Sequence, residues 1–201
     1  MLDYELIYYN QGIKLVAGVD EAGRGPLAGP VCVASVIMPF EQDKIIEEIN
    51  DSKKLTEKKR ELLFDKIIAT AIDYKIVLVD EKTIDEINIL NATKLGMKQA
   101  VEGLKIKPEI VLIDAVKLDV NFKTDSIIKG DAKSYNIAAA SILAKVTRDR
   151  LMLELDKKYP NYNFKKHKGY GTKEHIENLK KYGKCEIHRN SFIKNFLGEN
   201  E

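Results

Sequence analysis

Apolar residues follow two rhythms along this chain, short unbroken runs and helically spaced positions. Residues 15–19 form an unbroken run ending in two adjacent acids, Asp20 and Glu21, which predicts a buried strand that stops at a carboxylate pair. A second run, 31–38, is stopped by Pro39, and the short glycine-containing segment between the runs predicts neighbouring strands. Residues 56–72 carry Leu62, Leu63, Ile67, Ile68 and Ala71 at helical spacing, and 75–79 predicts a third strand. Thr83-Ile84-Asp85-Glu86 has the order of a capping box and opens a predicted helix reaching about Leu104. Residues 110–113 predict a short, wholly apolar strand ending at Asp114, and 122–128 a less regular one.

The longest helical pattern is 132–158, with Ile137, Ser141, Ala144, Leu151 and Leu155 near one face. Tyr159-Pro160 ends it, because the residue before a proline avoids the α region. Residues 161–171 read as a loop, and 172–182 as a helix closed by Gly183. Strands linked by helical crossovers predict α/β layering, a sheet covered by helices. No repeat, low-complexity tract or linker divides the chain, so one domain over 1–201 is expected, with 198–201 frayed.

Composition narrows the setting. At 201 residues and 44% hydrophobic, the chain can bury a real core without disulfides. Cys32 and Cys185 have no second cysteine near them in sequence, which disfavours a cysteine metal site. Residues 1–10 mix acids with tyrosines rather than following the basic-then-apolar order of a secretory signal, and no run reaches membrane-spanning length. A cytoplasmic protein without a membrane is expected. The net charge of +2 selects no partner, but residues 157–184 hold nine lysines against two glutamates. Tyr159, Tyr162, Phe164, Tyr170 and Tyr182 are interleaved with them, a mixture that suits nucleic acid. On its own this stretch reads more simply as a solvated lysine-rich face.

Residues 18–30 carry the chemistry. The acid pair is followed at once by Gly23, Arg24, Gly25 and Gly29. Oxygen ligands on a rigid strand suit a hard divalent cation, and glycines let a substrate backbone come close. Adjacent acids after a buried strand repel each other unless a cation offsets them. Asp114 at a strand end reads in isolation as a turn residue, and Asp131, ahead of the long helix, as an N-cap. Other acids, including Asp51, Asp80, Asp119 and Asp125, are not excluded by spacing. The residues alone therefore support a divalent-metal site on Asp20 and Glu21, with phosphoryl chemistry as its use.

The segment Asp20-Glu21-Ala22-Gly23-Arg24-Gly25-Pro26-Leu27-Ala28-Gly29-Pro30 resembles the signature of type 2 ribonuclease H, ribonuclease HII. Asp51-Ser52-Lys53-Lys54-Leu55 and Asn88-Ile89-Leu90-Asn91-Ala92-Thr93 resemble the family's next motifs. Lys129-Gly130-Asp131-Ala132-Lys133-Ser134, Ile137-Ala138-Ala139-Ala140-Ser141 and Ala144-Lys145-Val146-Thr147-Arg148-Asp149 continue the likeness. His167-Lys168-Gly169-Tyr170-Gly171-Thr172 and Cys185-Glu186-Ile187-His188-Arg189 complete it over nearly the whole chain.

The resemblance implies an α/β fold, a ribonuclease H-like mixed sheet flanked by helices, with a small helical C-terminal part from about residue 185 to 201. It implies that Asp20, Glu21, Asp114 and Asp131 are catalytic acids holding two ions, Mg²⁺ or Mn²⁺. The implied reaction is endonucleolytic. It covers the RNA strand of RNA–DNA hybrids and DNA duplexes containing ribonucleotides, cut on their 5′ side to leave 3′-hydroxyl and 5′-phosphate ends. Gly23, Arg24 and Gly25 are implied to contact the 2′-hydroxyl and adjoining phosphate, and Tyr170 to pack on the neighbouring sugar. Lys53 and Lys54 are expected phosphate contacts, and the partner is nucleic acid, met by a monomer. His167, His175 and His188 lack metal-ligand spacing and receive no catalytic role. Ribonuclease HIII, which normally carries an extra N-terminal domain and a different glycine loop, is set aside because Gly-Arg-Gly is intact. A binding module that has lost its chemistry is disfavoured because all four acids are present.

Overall fold

The computed structural model describes residues 1–114 and 116–197; the expected fraying of 198–201 lies outside the described residues. In chain order the helices and strands are α1 (Asp3–Tyr9), β1 (Val16–Ala22), β2 (Val31–Ile37), α2 (Glu57–Thr70), β3 (Asp73–Val79) and α3 (Glu81–Glu102). They continue with β4 (Ile110–Asp114), β5 (Thr124–Ile127), α4 (Tyr135–Lys158), α5 (Phe164–His167), α6 (Lys173–Tyr182) and α7 (Asn190–Leu197). The strands form one sheet in the order β3-β2-β1-β4-β5. β1 runs antiparallel to β2 and parallel to β4, so the sheet is mixed.

Both faces of the central strands are covered, which explains their unbroken apolar runs. Ala34, Val36 and Met38 pack with Leu63 and Ile67 of α2 and with the Ala138-Ala139-Ala140 stretch of α4. Val19, Val33 and Ile37, on the opposite face, pack with Met97, Ala100 and Val101 of α3. One position in β1 sets how close α4 can come. A Cβ on Gly18 would lie 2.1 Å from the backbone carbon of Asn136, so only glycine lets strand and helix meet there.

Four sequence expectations are corrected. β1 does not stop before its acids: Asp20 and Glu21 pair with Ala34 and Val33 of β2, and the strand ends at Ala22. The helix expected to open at Thr83 is capped three residues earlier, where Asp80 accepts from the Thr83 amide. Within it Asn88 has φ of +65° and caps the second half by accepting from the Asn91 amide. The long helix starts at Tyr135 with Ser134 as its cap, so Asp131 is not a cap but part of the short turn Gly130–Ala132. The expected loop 161–171 contains α5, bounded by left-handed Asn163 and Lys168.

Beyond α4 the described residues carry α5, α6 and α7. Leu179 of α6 and Ile193 of α7 bury Leu27 from the segment after β1, which ties the C-terminal part to the glycine loop.

Candidate active site

The site grows from the register of two parallel strands. Val19 of β1 is level with Ile113 of β4, so the next residues, Asp20 and Asp114, end up side by side at the strands' carboxyl ends. This is where open α/β sheets place ligands. The alternation of side chains along a strand puts both on the face covered by α4. The turn before α4 then delivers a third acid. Lys129 takes a left-handed conformation, and the Gly130 amide donates to Asp114 Oδ1 at 2.8 Å, which sets Asp131 beside the pair. A Cβ on Gly130 would lie 2.6 Å from Ile137 Cδ1, so a side chain there would push that terminal methyl aside.

Asp20, Asp114 and Asp131 each offer an oxygen within 4.8 Å of the others. Burial, together with the charge of Glu21, holds the Asp20 carboxyl well above its ordinary range, although the Glu21 amide donates to it. Burial raises Asp114 as well, partly offset by the Gly130 amide. Glu21 is raised by burial and pulled back by Arg24, whose guanidinium lies 3.4 Å away. Clustered, desolvated carboxylates of this kind are relieved by a cation, and an all-oxygen set matches Mg²⁺ or Mn²⁺. Glu21 is not one of that group of three, but it interacts with Asp20 and Asp114 and lines with them a cavity of about 250 Å³.

The cavity also gathers Gly23, Arg24, Gly25, Lys53 and Tyr170. Lys53 Nζ lies 2.9 Å from Asp131 Oδ2, and the Asp51 side chain caps the turn that carries it. Lys54, in the same turn, is exposed and is not part of the cavity wall. Sequence reasoning missed Lys145, which lines the cavity from α4 and pairs with Asp149 at 2.8 Å; its signal was the i,i+4 charge spacing.

The lysine-rich stretch is mostly something other than a nucleic-acid stripe. Lys157, Lys158, Lys165, Lys166 and Lys173 pair with nearby acids, and Tyr162 and Phe164 are buried core residues. Of its aromatics, Tyr170 is the one that lines the cavity.

Beneath Tyr170 the three histidines form a buried cluster whose tautomers follow from their partners. His188 Nδ1 accepts from the Cys185 amide, so its Nε2 carries the proton and donates to His175 Nε2 at 3.1 Å. His175 Nδ1 then donates to the Tyr170 carbonyl at 2.9 Å. His167 accepts from the Gly169 amide and donates to the Tyr162 carbonyl, with its ring stacked 4.5 Å from that of His175.

A family model described as Ribonuclease HII matches residues 17–195, which include every acid of the site. The chain belongs to the ribonuclease HII family. Its relatives include the ribonuclease HII of Acetivibrio thermocellus, 64% identical over 98% of this chain and 77% of that protein. The ribonuclease HII of Caldicellulosiruptor bescii is 62% identical over 94% of this chain and 91% of its own. Among solved structures, the ribonuclease H2 of Pyrococcus horikoshii OT3 matches with a TM-score of 0.76 and 33% identity, covering 92% of this chain and 97% of that one. Bst-RNase HIII, solved in complex with Mn²⁺, matches with a TM-score of 0.69 at 16% identity over 96% of this chain and 72% of its own; that likeness concerns the fold. As a member of the ribonuclease HII family the chain is a metal-dependent endoribonuclease, and cleavage of RNA in RNA–DNA hybrids is the family's general activity. Among the described residues no helix is long and apolar enough to cross a membrane.

Proposed function

We propose that this ribonuclease HII family member cuts not only RNA–DNA hybrids but also duplex DNA on the 5′ side of a single embedded ribonucleotide. The observation that supports this is that Asp20 and Asp114 share one cavity with the glycine loop and Tyr170, and Asp131 lies beside that acid pair. A site that inspects one 2′-hydroxyl needs its recognition groups within one nucleotide of its chemistry.

Asp20, Glu21, Asp114 and Asp131 would hold two divalent cations, Mg²⁺ or Mn²⁺, by carboxylate oxygens. When bound, these ions supply Lewis-acid activation of a water and charge stabilisation at the leaving oxygen. The chain's own residues position the strand. Gly25 leaves room for a sugar-phosphate backbone, since a Cβ there would meet only Tyr170 Cε1, at 3.9 Å. The exposed ring of Tyr170 packs on the sugar of the nucleotide that follows the ribonucleotide and favours deoxyribose there. Lys53 draws the phosphate toward Asp131. The products carry 3′-hydroxyl and 5′-phosphate ends.

The test is a labelled duplex with one ribonucleotide, run beside an all-DNA duplex and a long hybrid. Wild type is expected to cut the first and third and spare the second. Asp131→Asn should abolish both cuts, and Tyr170→Ala should lose most activity at the single ribonucleotide. Wild type cutting hybrids but ignoring the single ribonucleotide would refute this reading.

A further inference from the structure

Two guanidinium groups form the floor of the glycine loop. Arg148 and Arg189 are 1% and 0% exposed, and their hydrogen bonds go to main-chain carbonyls rather than carboxylates. Arg148 donates to the carbonyls of Ala28, Pro30 and Lys168. Arg189 donates to those of Gly23 at 2.6 Å, Arg24 at 2.9 Å and Gly29 at 2.7 Å. A buried arginine ordinarily meets an acid, because an uncompensated charge in the interior is costly. Burial and the neighbouring Arg148 push Arg189 down to about 9, so it still carries its charge at neutral pH.

The consequence follows from peptide geometry. In a trans peptide the carbonyl and the next residue's N–H point in opposite directions, and no peptide of the described residues is cis. Drawing the Gly23 carbonyl onto Arg189 therefore turns the Arg24 amide away from it, and drawing in the Arg24 carbonyl does the same for Gly25. Among the described residues no group accepts a hydrogen bond from either amide. Two adjacent donors thus face the cavity beside the aspartates, with the two guanidinium groups behind them; Glu81 offsets part of that charge electrostatically, while the hydrogen bonds of both arginines go to the loop carbonyls. Such paired amides fit an anion or a hydroxyl oxygen. Gly23 is required for a separate reason: its Cβ would lie 2.1 Å from Arg148 Nε, so the guanidinium fits only under a glycine.

We propose that Arg189, supported by Arg148, is the positioning residue for ribose selection: it orients the Arg24 and Gly25 amides toward the 2′-hydroxyl and adjoining phosphate. This rests on the reading of the loop as a substrate contact. A guanidinium is needed rather than any cation, because one group must reach three carbonyls in a plane.

The experiment measures binding in Ca²⁺, to hold turnover back, of a duplex with one ribonucleotide and its all-DNA counterpart. For wild type and Arg189→Lys the readout is the ratio of the two affinities. Arg189→Lys keeps the charge but loses the fork, and the ribose preference is expected to fall by roughly tenfold or more. Mn²⁺ affinity and affinity for all-DNA duplex should stay near wild type. A merely structural role would weaken both duplexes alike. A folded Arg189→Lys whose ratio stays within about twofold of wild type overturns the proposal. Should the variant not fold, wild type carries the test: its Arg24 and Gly25 amide NMR resonances should shift with the ribonucleotide duplex and not with the DNA one. Their failure to shift overturns the proposal whatever the variant does. If wild type shows no ribose preference at all, the proposed function fails instead, so the two failures are distinct.

Discussion

Acidification should expose the buried histidine cluster. His175 and His188 are each pushed down to about 4, chiefly by burial, and their hydrogen bonds explain why protonation is resisted. A second proton on His175 would set its Nε2–H against that of His188, and one on His188 Nδ1 would oppose the Cys185 amide. The surroundings offer little relief: Phe164, Tyr162 and the His167 ring pack against the pair, and the neighbouring guanidinium is Arg189. In the unfolded chain these histidines titrate near 6.5, so below that pH the unfolded state takes up protons that the folded state refuses. Stability is therefore lost as pH falls from about 6.5 and the loss levels off near 4. For one such histidine linkage gives about 2 kcal/mol lost between pH 7.5 and 5, rising to roughly 3 kcal/mol by pH 4. Because His175 lowers His188, the two do not titrate independently and their contributions are not simply doubled.

The carboxylates of the active site act in the opposite sense. Asp20 and Asp114 are raised, so the folded state binds their protons first and gains stability as pH falls. A wild-type profile alone would mix the two effects, and a comparison with His175→Asn separates them. Asparagine retains a donor for the Tyr170 carbonyl but cannot take a proton. Urea unfolding of both proteins without metal at pH 7.5, 6.5, 5.5 and 5.0 should show wild type losing about 2 kcal/mol more than the variant over that range. Profiles that run parallel within about 0.5 kcal/mol would show that these histidines are not held neutral, and the tautomer chain would fall with them.

Gly18→Ala should cost at least roughly 1–3 kcal/mol of stability by overpacking against Asn136. It should also cut turnover more than substrate affinity, because β1 and α4 would separate beneath Asp20; normal kcat in a destabilised protein would show that the acids tolerate the shift. Lys53→Ala should lower the salt dependence of substrate binding by about one phosphate contact, and Lys54→Ala should leave it unchanged, since Lys53 alone of the two lines the cavity. Equal slopes for the two variants, read from affinities at several salt concentrations, would sink that distinction.

The layering and the acids at the strand ends were legible because buried parallel strands print themselves as apolar runs. The end of β1 was not, because Asp20 and Glu21 keep strand pairing with β2 while breaking the apolar run. Asp80 was passed over as a cap because Thr83 offered a competing pattern three residues on. α5 spans four residues, too few for a helical period to show. The deepest omission was Arg148 and Arg189. Both sit in motifs that carry the family likeness, yet an arginine in sequence reads as surface charge, and only the fold shows the loop carbonyls closing on them. The solvated face expected around Lys157 and Lys158 is what the fold shows, as surface ion pairs, whereas Tyr162 from the same stretch is drawn into the core.

The hydrogen bonds from Arg189 to the glycine loop span 160 to 166 positions of sequence, and this gives the chain a timetable. During synthesis Asp20, Asp114 and Asp131 have all been added to the chain nearly sixty residues before Arg189 is. Domains form from the parts already made, so the sheet and its acids can assemble while the loop above them still lacks its anchor. The means of destroying RNA is thus assembled earlier than the means of choosing which strand to cut.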